Sequence, residues 1–465
     1  MYNFLLSFLK EEREKRGTPF LFMPKRISFS ELCKALYYEI VTKEKSDMFL
    51  ISGVLRELVT IGLLAKRPVK YSYYELDHFT IHDVLLVTND NQSFSRGVST
   101  NIVEAYAKAL GEVFERTSIR YNVEKNIVVG EEDELKKNGL LPVAVSSFPR
   151  ATKKQEGIFK DGIFSKEDTF SWVKVHSLKD GLDYHIPAQT VFLSNYTLYP
   201  NEKNILSPSS HGAGAYYSKK GALFSAIGEI INRHFFLESW YFFKKPKRIA
   251  LETIPKESKA SQLISDFLNR GFTLHILSYC ENAGIPSIIC LLEKEGGWSC
   301  GGGVASSLLG AIEKAILEAY SVYTWYMRSV IDGGWVQNAV SINNLKDDFI
   351  DTELSKVKER IYLFNQKIFI DTKCSFSSIT QGEIVQFSTQ YDITNEYDIE
   401  QHACNLFGDV YVYTPDKKYT KEYGFTTVKV IIPKSYFFSL YEIHTRPAHT
   451  HNSSYPHNTA INPFP

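Results

Sequence analysis

The stretch ALGEVFER at residues 109–116 places Glu112, Glu115 and Arg116 within two helical turns. A near copy, AIGEIINR at residues 226–233, places Glu229 and Arg233 in the same register. Residues three or four apart share a helix face, so Glu112 and Glu115 project together and Arg116 stands one turn from Glu112. Two neighbouring carboxylates repel unless an arginine, a lysine or a divalent cation lies between them. Mg2+ takes oxygen ligands and commonly combines a few carboxylates with nucleotide phosphates. Gly111 and Gly228 precede the acids and permit close helix packing. The alternative for each turn is a surface i,i+4 ion pair such as Glu112 with Arg116. Recurrence in register weakens that alternative, and at this level both stay open.

No GxxxxGK[ST], GxSxG or HExxH is present. Any handling of ATP would therefore rest on carboxylates and magnesium in place of a P-loop. Two Gly-rich loops before the second and third helices, SSHGAGAYYSKKG and SCGGGVASS, could offer backbone N–H groups to an anion.

The elements that must position these groups are three helical runs: IVEAYAKALGEVFERTSIRY, GALFSAIGEIINRHFFLESWYFF and SSLLGAIEKAILEAYSVYTWYM. Each follows a stretch of small or turn-forming residues, and the third carries Glu318 where Glu112 and Glu229 sit. This is a weak internal repetition, unlike a solenoid. HDVLLVTND, TVFLSN, TLHILSY and PSIICLLEK read as strands. The expectation is an α/β (α+β) domain with mixed sheets and packed helices over 76–443. Residues 1–75 read as a separate small helical domain of winged-helix outline, with apolar positions Leu32, Leu36, Ile40 and then Leu50, Val54, Leu55, Leu58 before a turn at Gly62. Its second helix has Arg56 as its one basic residue, offset by Glu57, so docking or peptide binding fits better than DNA reading. Residues 444–465 form a Pro- and His-containing tail whose four histidines lack ligand spacing.

A chain of 465 residues with 44% hydrophobic and 23% charged residues is ordinary for a globular protein of more than one domain. Zero formal net charge disfavours broad nucleic-acid binding. The six cysteines show no CxxC and read as reduced thiols of a cytoplasmic protein. MYNFLLSFLKEEREKRG lacks the long apolar run of a signal peptide, and no window suggests a transmembrane helix.

ALGEVFER, SSHGAGAYYSKKGALFSAIGEIINR, CGGGVASSLLGAIEKAILEAY and a PFP terminus occur in an order that resembles the YcaO family, in particular the azoline-forming cyclodehydratase subunit of microcin B17-type synthetases. The resemblance spans roughly residues 76–465 and implies a YcaO-type fold, ATP and Mg2+ as cofactors, and activation of a peptide backbone amide. It implies closure of Cys, Ser or Thr side chains onto the preceding carbonyl of a ribosomally made precursor peptide, giving thiazoline or oxazoline rings. The implied partners are the precursor, an E1-like leader-binding adapter, a flavin-dependent dehydrogenase and a second copy of this chain within a larger complex. Carried over by position, Glu112, Glu115, Arg116, Glu229, Arg233 and Glu318 are implied nucleotide-site residues. Glu112, Glu115 and Glu229 are the implied metal ligands, and the terminal carboxylate of Pro465 is the implied base.

The chain departs from the family pattern at several places. Lys108 stands where Ser is frequent, Asn232 replaces the second acid of ExxER, and Ser321 replaces a Gln. Gly214, Tyr217 and Gly221 fall where several members place Ser, Asn and Glu, and Ile461 interrupts the proline tail. Fewer acids mean a weaker magnesium cage, so the alternative is a non-catalytic scaffold or precursor-binding subunit with a partly eroded nucleotide site. Tyr217 reads as a core residue more readily than as a platform for adenine.

Overall fold

A computed structural model describes residues 47–89, 94–120, 127–148, 164–193, 202–203, 205, 209–242, 244–294, 297–331, 379–394, 397–415 and 424–435. The first helix of the expected winged helix, the tail histidines and the PFP terminus lie outside the described residues. The chain forms two compact units that divide between Phe114 and Glu115.

In the first unit, helix α1 (Asp47–Thr60) buries Leu55 and Leu58 and ends at Gly62, whose φ of 77° suits a residue without Cβ. Strands β1 (Leu64–Glu75), β2 (Thr80–Thr88) and β3 (Phe94–Ser99) follow as an antiparallel sheet in chain order. β1 and β2 pair across positions 75 and 76, so residues on both sides of that point belong to one sheet. β3 leads into helix α2 (Ile102–Ser118), within which the division between units falls. The Asn101 carboxamide accepts the N–H groups of Val103 and Glu104 and caps that helix.

The second unit holds two sheets. Strand β4 (Val128–Gly130), helix α3 (Glu132–Lys137), β5 (Phe170–Ser177), β6 (Asp183–Pro187) and β7 (Ala213–Tyr216) come first, followed by helix α4 (Lys219–Phe242). Then come β8 (Lys247–Ile249), helix α5 (Lys259–Asn269), β9 (Thr273–Ser278), short helix α6 (Cys280–Ala283), β10 (Ser287–Lys294) and β11 (Gly297–Val304). Helix α7 (Leu308–Ile331), β12 (Ile384–Val385), helix α8 (Ile399–Phe407), β13 (Tyr411–Tyr413) and β14 (Thr426–Ile431) complete the unit. One sheet runs β4-β5-β13-β14-β7 with β6 on β5, and the other runs β11-β10-β9-β8-β12.

The first of these sheets is buried on both faces, which its alternation shows. Val412, Val428 and Val430 pack with Ala222, Ala226, Ile227 and Ile230 of α4. Tyr411, Tyr413 and Ile431 turn to the opposite core around Phe170 and Trp172. Among the described residues no helix is long and apolar enough to cross a membrane. Cys280, Cys290 and Cys300 are buried free thiols, and Cys404 is a half-buried one.

Two expectations fail locally. TVFLSN is not a strand where it is described: Ala188–Thr190 is a 3-10 turn, and Val191 and Phe192 bond back to the Ala188 carbonyl. Pro187 supplies no N–H to continue the ladder, while its carbonyl accepts the Thr190 hydroxyl. SCGGGV is not a loop but most of β11, in full register with β10.

Candidate functional site: three strand–helix units that hold a carboxylate

The three long helices meet the strands before them in the same way. Gly97, Ala105, Ala109 and Glu112 recur at identical spacing as Gly214, Ala222, Ala226 and Glu229, and again as Gly303, Ala311, Ala315 and Glu318. A Cβ on Gly97 would stand 1.8 Å from the Ala105 carbonyl oxygen and 2.7 Å from the Ala109 nitrogen. On Gly214 it would stand 2.4 Å from the Ala222 oxygen and 3.1 Å from the Ala226 nitrogen, and on Gly303 2.0 Å from the Ala311 oxygen and 2.7 Å from the Ala315 nitrogen. Strand backbone thus lies directly on helix backbone, and only small residues permit that approach.

The glutamate that follows the second alanine by three positions reaches back to the strand or, for Glu229, to the turn that enters it. Glu112 accepts the backbone N–H of Arg96. Glu229 Oε2 accepts that of Gly212 at 3.2 Å, and Glu318 Oε2 that of Gly302 at 2.9 Å. One N–H of each Gly-rich stretch, that of Gly212 and that of Gly302, therefore meets one of the chain's own carboxylates rather than a foreign anion. Each glutamate has one oxygen fixed by the backbone, which orients the other.

In the first unit, Arg96 also grips the buried Asp83 through two bonds, Nε to Oδ1 at 2.8 Å and Nη2 to Oδ2 at 2.5 Å. This paired grip fixes β3 against β2 and so the N–H that Glu112 uses. Lys108, which stands where the family has Ser, pairs with Glu104 at 2.8 Å and donates to the Val98 carbonyl at 3.3 Å.

In the second unit, Arg233 Nη2 pairs with Glu229 Oε1 at 3.0 Å. Glu318 feels both: burial holds its carboxyl above the usual range, Arg233 and Lys314 draw it back down, and Glu229 pushes it up. Its Oε1 has no hydrogen-bond partner among the described residues. Cys300, buried beside Glu318, is raised well above the ordinary thiol range by burial and then by that carboxylate. His211 is held well below its usual value by burial and by Arg233 and Lys429, so its ring is neutral. Lys429, unremarked in the sequence, is buried within reach of the fields of Glu229, Glu115 and Arg233.

The departures from the family pattern have physical accounts here. Asn232 is buried and its amide nitrogen donates to Ser287 Oγ at 2.9 Å and to the Ile288 carbonyl at 3.1 Å. A carboxylate could not donate to that carbonyl. Gly214 has no space for a Ser Cβ, and a Cβ on Gly221 would lie 2.1 Å from the Tyr216 ring. Tyr217 is 61% exposed and packs its ring, tilted, with its centroid 4.6 Å from that of Phe425, so it is not a core residue. Ser321 lies on α7, where its carbonyl accepts the Thr324 hydroxyl. The terminal carboxylate of Pro465 lies outside the described residues.

The donor set fits a hydrated divalent cation with phosphates better than a protein-only metal cage. Among the described residues no group of three or more His, Cys, Asp or Glu side chains is placed to hold an ion alone. Mg2+ needs only one or two carboxylates when phosphates and water fill its other positions. The raised Glu318 carboxyl beside Glu229 is a local excess of negative charge that such a cation would relieve.

A family model described as YcaO cyclodehydratase, ATP- and Mg2+-binding, matches residues 96–435. The chain belongs to the YcaO family. ATP and Mg2+ are the cofactors of that family and of this chain. No curated protein matches the sequence. Among solved structures, the E. coli microcin synthetase McbBCD complex with pro-MccB17 bound is similar at TM-score 0.60 and 15% identity, over 87% of this chain and 98% of that one. A heterocyclase in complex with substrate and cofactor is similar at TM-score 0.58 and 16% identity, over 84% of this chain and 53% of that one. This YcaO chain thus spans about half the length of that heterocyclase. YcaO from Methanopyrus kandleri, bound with AMPPCP and Mg2+, is similar at TM-score 0.52 and 14% identity, over 83% of this chain and 92% of that one. At such identities the likeness speaks for the fold.

Proposed function

We propose that this chain is an ATP-dependent peptide cyclodehydratase that closes azoline rings from Cys, Ser or Thr in a ribosomally made precursor peptide. The observation that carries the reading is the repeated fixing of a glutamate by a backbone N–H, with Glu229, Arg233 and Glu318 interacting in the second unit. It supports the reading because it holds oriented carboxylates at positions that the family resemblance assigns to magnesium and nucleotide.

When bound, ATP supplies the phosphoryl group that turns the former amide oxygen into a leaving group. The substrate thiol or hydroxyl loses its proton and forms a new S–C or O–C bond to the preceding carbonyl carbon. That carbon's oxygen leaves as phosphate while the amide nitrogen gives up its proton and forms the C=N bond. Each ring thus removes the elements of one water from the peptide and converts one ATP to ADP and phosphate. Glu112, Glu115 and Glu229 are the metal-holding carboxylates of this proposal. Arg116, Arg233 and Glu318 complete the nucleotide-binding set. The two arginines balance phosphate charge, for which a guanidinium is suited by its fixed fork of donors. The terminal carboxylate of Pro465 takes the proton released on ring closure, a task that needs a base held near that proton. The proposed partners are the precursor peptide, an E1-like adapter that holds its leader, and a flavin-dependent dehydrogenase that aromatises the ring. A homodimer inside a larger complex and a cytoplasmic location complete the proposal.

The test is mass spectrometry of a Cys-containing precursor incubated with adapter, Mg2+, ATP and either the wild-type chain or Glu229→Gln. Loss of one water per ring, matched by ADP release and absent in the variant, is the expected result. Nucleotide binding without any water loss would instead favour the non-catalytic scaffold.

A further inference from the structure

Lys429 lies in β14 and is 3% exposed. Its Nζ donates to the carbonyl of Ser209 and to that of His211, each at 2.6 Å. These carbonyls belong to the turn that enters β7. The next residue, Gly212, has φ 79° and donates its N–H to Glu229 Oε2. The Val430 N–H closes the same turn by donating to the Gly212 carbonyl at 2.7 Å. One strand therefore holds the turn that orients Glu229 through a side chain and a main-chain bond. A buried ammonium is costly unless negative groups face it. Two carbonyls could equally be held by a neutral donor, so the charge itself needs a reason.

We propose that Lys429 is a positioning residue of the nucleotide site: its ammonium clamps the turn that sets Glu229, and its charge makes the carboxylate cluster receptive to a nucleoside triphosphate. This rests on the reading of that cluster as the nucleotide site.

The groups that face Lys429 are known element by element. Tyr413 lies across from it on β13 and Ala213 on β7. Glu229 and Arg233 act from α4, Glu115 from α2, and neutral His211 from the turn. Burial draws the ammonium down to about 8, against Glu229 and Glu115, while Arg233 adds to the lowering. A neutral amine keeps two N–H groups, enough for both carbonyls. Raising the pH therefore removes the charge and leaves the clamp.

The test is calorimetric binding of two probes: Mg2+ with a non-hydrolysable methylene analogue of ATP, and Mn2+ alone. Wild type and Lys429→Met are compared. The expected result is nucleotide binding weaker by about tenfold in the variant, with Mn2+ binding equal or tighter because a repelling cation is gone. A merely structural loss would weaken both probes together, and that outcome overturns the proposal, as does unchanged nucleotide affinity. If Lys429→Met does not fold, wild type is titrated from about pH 7 to about pH 9.5. Nucleotide affinity should fall above about 8, levelling off at about tenfold weaker in all. The free chain should gain thermal stability over the same range, because its unfolded lysine still binds the proton. A flat affinity profile overturns the proposal. Absence of nucleotide binding by wild type at neutral pH overturns the nucleotide-site reading itself, and the proposal with it.

Discussion

Glu318 accepts the N–H of Gly302 through Oε2 at 2.9 Å, sixteen residues earlier in the chain, while its Oε1 has no hydrogen-bond partner among the described residues. The residue is half-buried, and desolvation raises the proton affinity of its carboxyl. The arrangement is stable enough to persist because the backbone bond and Arg233 offset part of the cost. The same backbone-to-carboxylate bond recurs at Glu112 and Glu229.

Glu318→Gln should separate stability from binding. The amide oxygen can still accept from Gly302, and the neutral group removes a buried charge beside Glu229. Because the folded carboxyl is raised, the folded chain holds its proton where the unfolded chain releases it. Wild-type stability therefore declines as pH rises above the ordinary carboxylate value, and the variant should lack that decline. At neutral pH the variant should melt at an equal or higher temperature, yet bind Mg-nucleotide more weakly by about tenfold. Calorimetry paired with thermal melts checks both halves.

The backbone contacts predict a graded response to glycine substitution. Gly97→Ala, Gly214→Ala and Gly303→Ala each drive a methyl into a helix carbonyl oxygen at 1.8, 2.4 and 2.0 Å. Relief requires the strand and helix to part, so each should cost about 3 kcal/mol in urea unfolding. Gly139→Ala is the control. Its φ of 77° strains an alanine, but no atom lies within 4 Å of the new methyl, so the cost should be about 1–2 kcal/mol.

Acid should weaken the first unit through His82. This residue is 3% exposed, shares a 2.7 Å bond with the Tyr71 hydroxyl, and is lowered to about 4 by burial. Between that value and the ordinary 6.5 the unfolded chain binds a proton that the folded chain refuses. Stability is thus complete above 6.5 and declines as pH falls toward 4, by up to about 3 kcal/mol. Urea midpoints at neutral pH and near pH 4 should diverge in wild type and converge in His82→Gln.

How much of this was legible in sequence depended on periodicity. The three long helices declare themselves through length and apolar spacing, and their glutamates through the shared Ala-x-Gly-Glu or Ala-x-Leu-Glu turn. The glycine–alanine–alanine spacing was equally visible, but nothing in one chain says that a glycine and an alanine eight positions later touch. β11 reads as a loop because GGG usually breaks a strand, whereas here those glycines make room for α7. Lys429 carries no chemical signal of its own within TTVKVII. The turn it clamps lies 218 and 220 residues away, beyond any local pattern.

Asn232 tests whether the departure from ExxER is a loss. If the site were merely eroded, Asn232→Asp would restore an acid and strengthen magnesium binding. The structure argues otherwise. The Asn232 amide nitrogen donates to Ser287 Oγ and the Ile288 carbonyl, tying α4 to β10. An aspartate would place a carboxylate against a carbonyl oxygen with no proton to give, in a position 3% exposed. The cost should be about 2–4 kcal/mol in urea unfolding. Mg-nucleotide affinity, measured where the variant is fully folded, should not improve. A variant as stable as wild type that binds magnesium more tightly would show that position 232 belongs to the metal site after all.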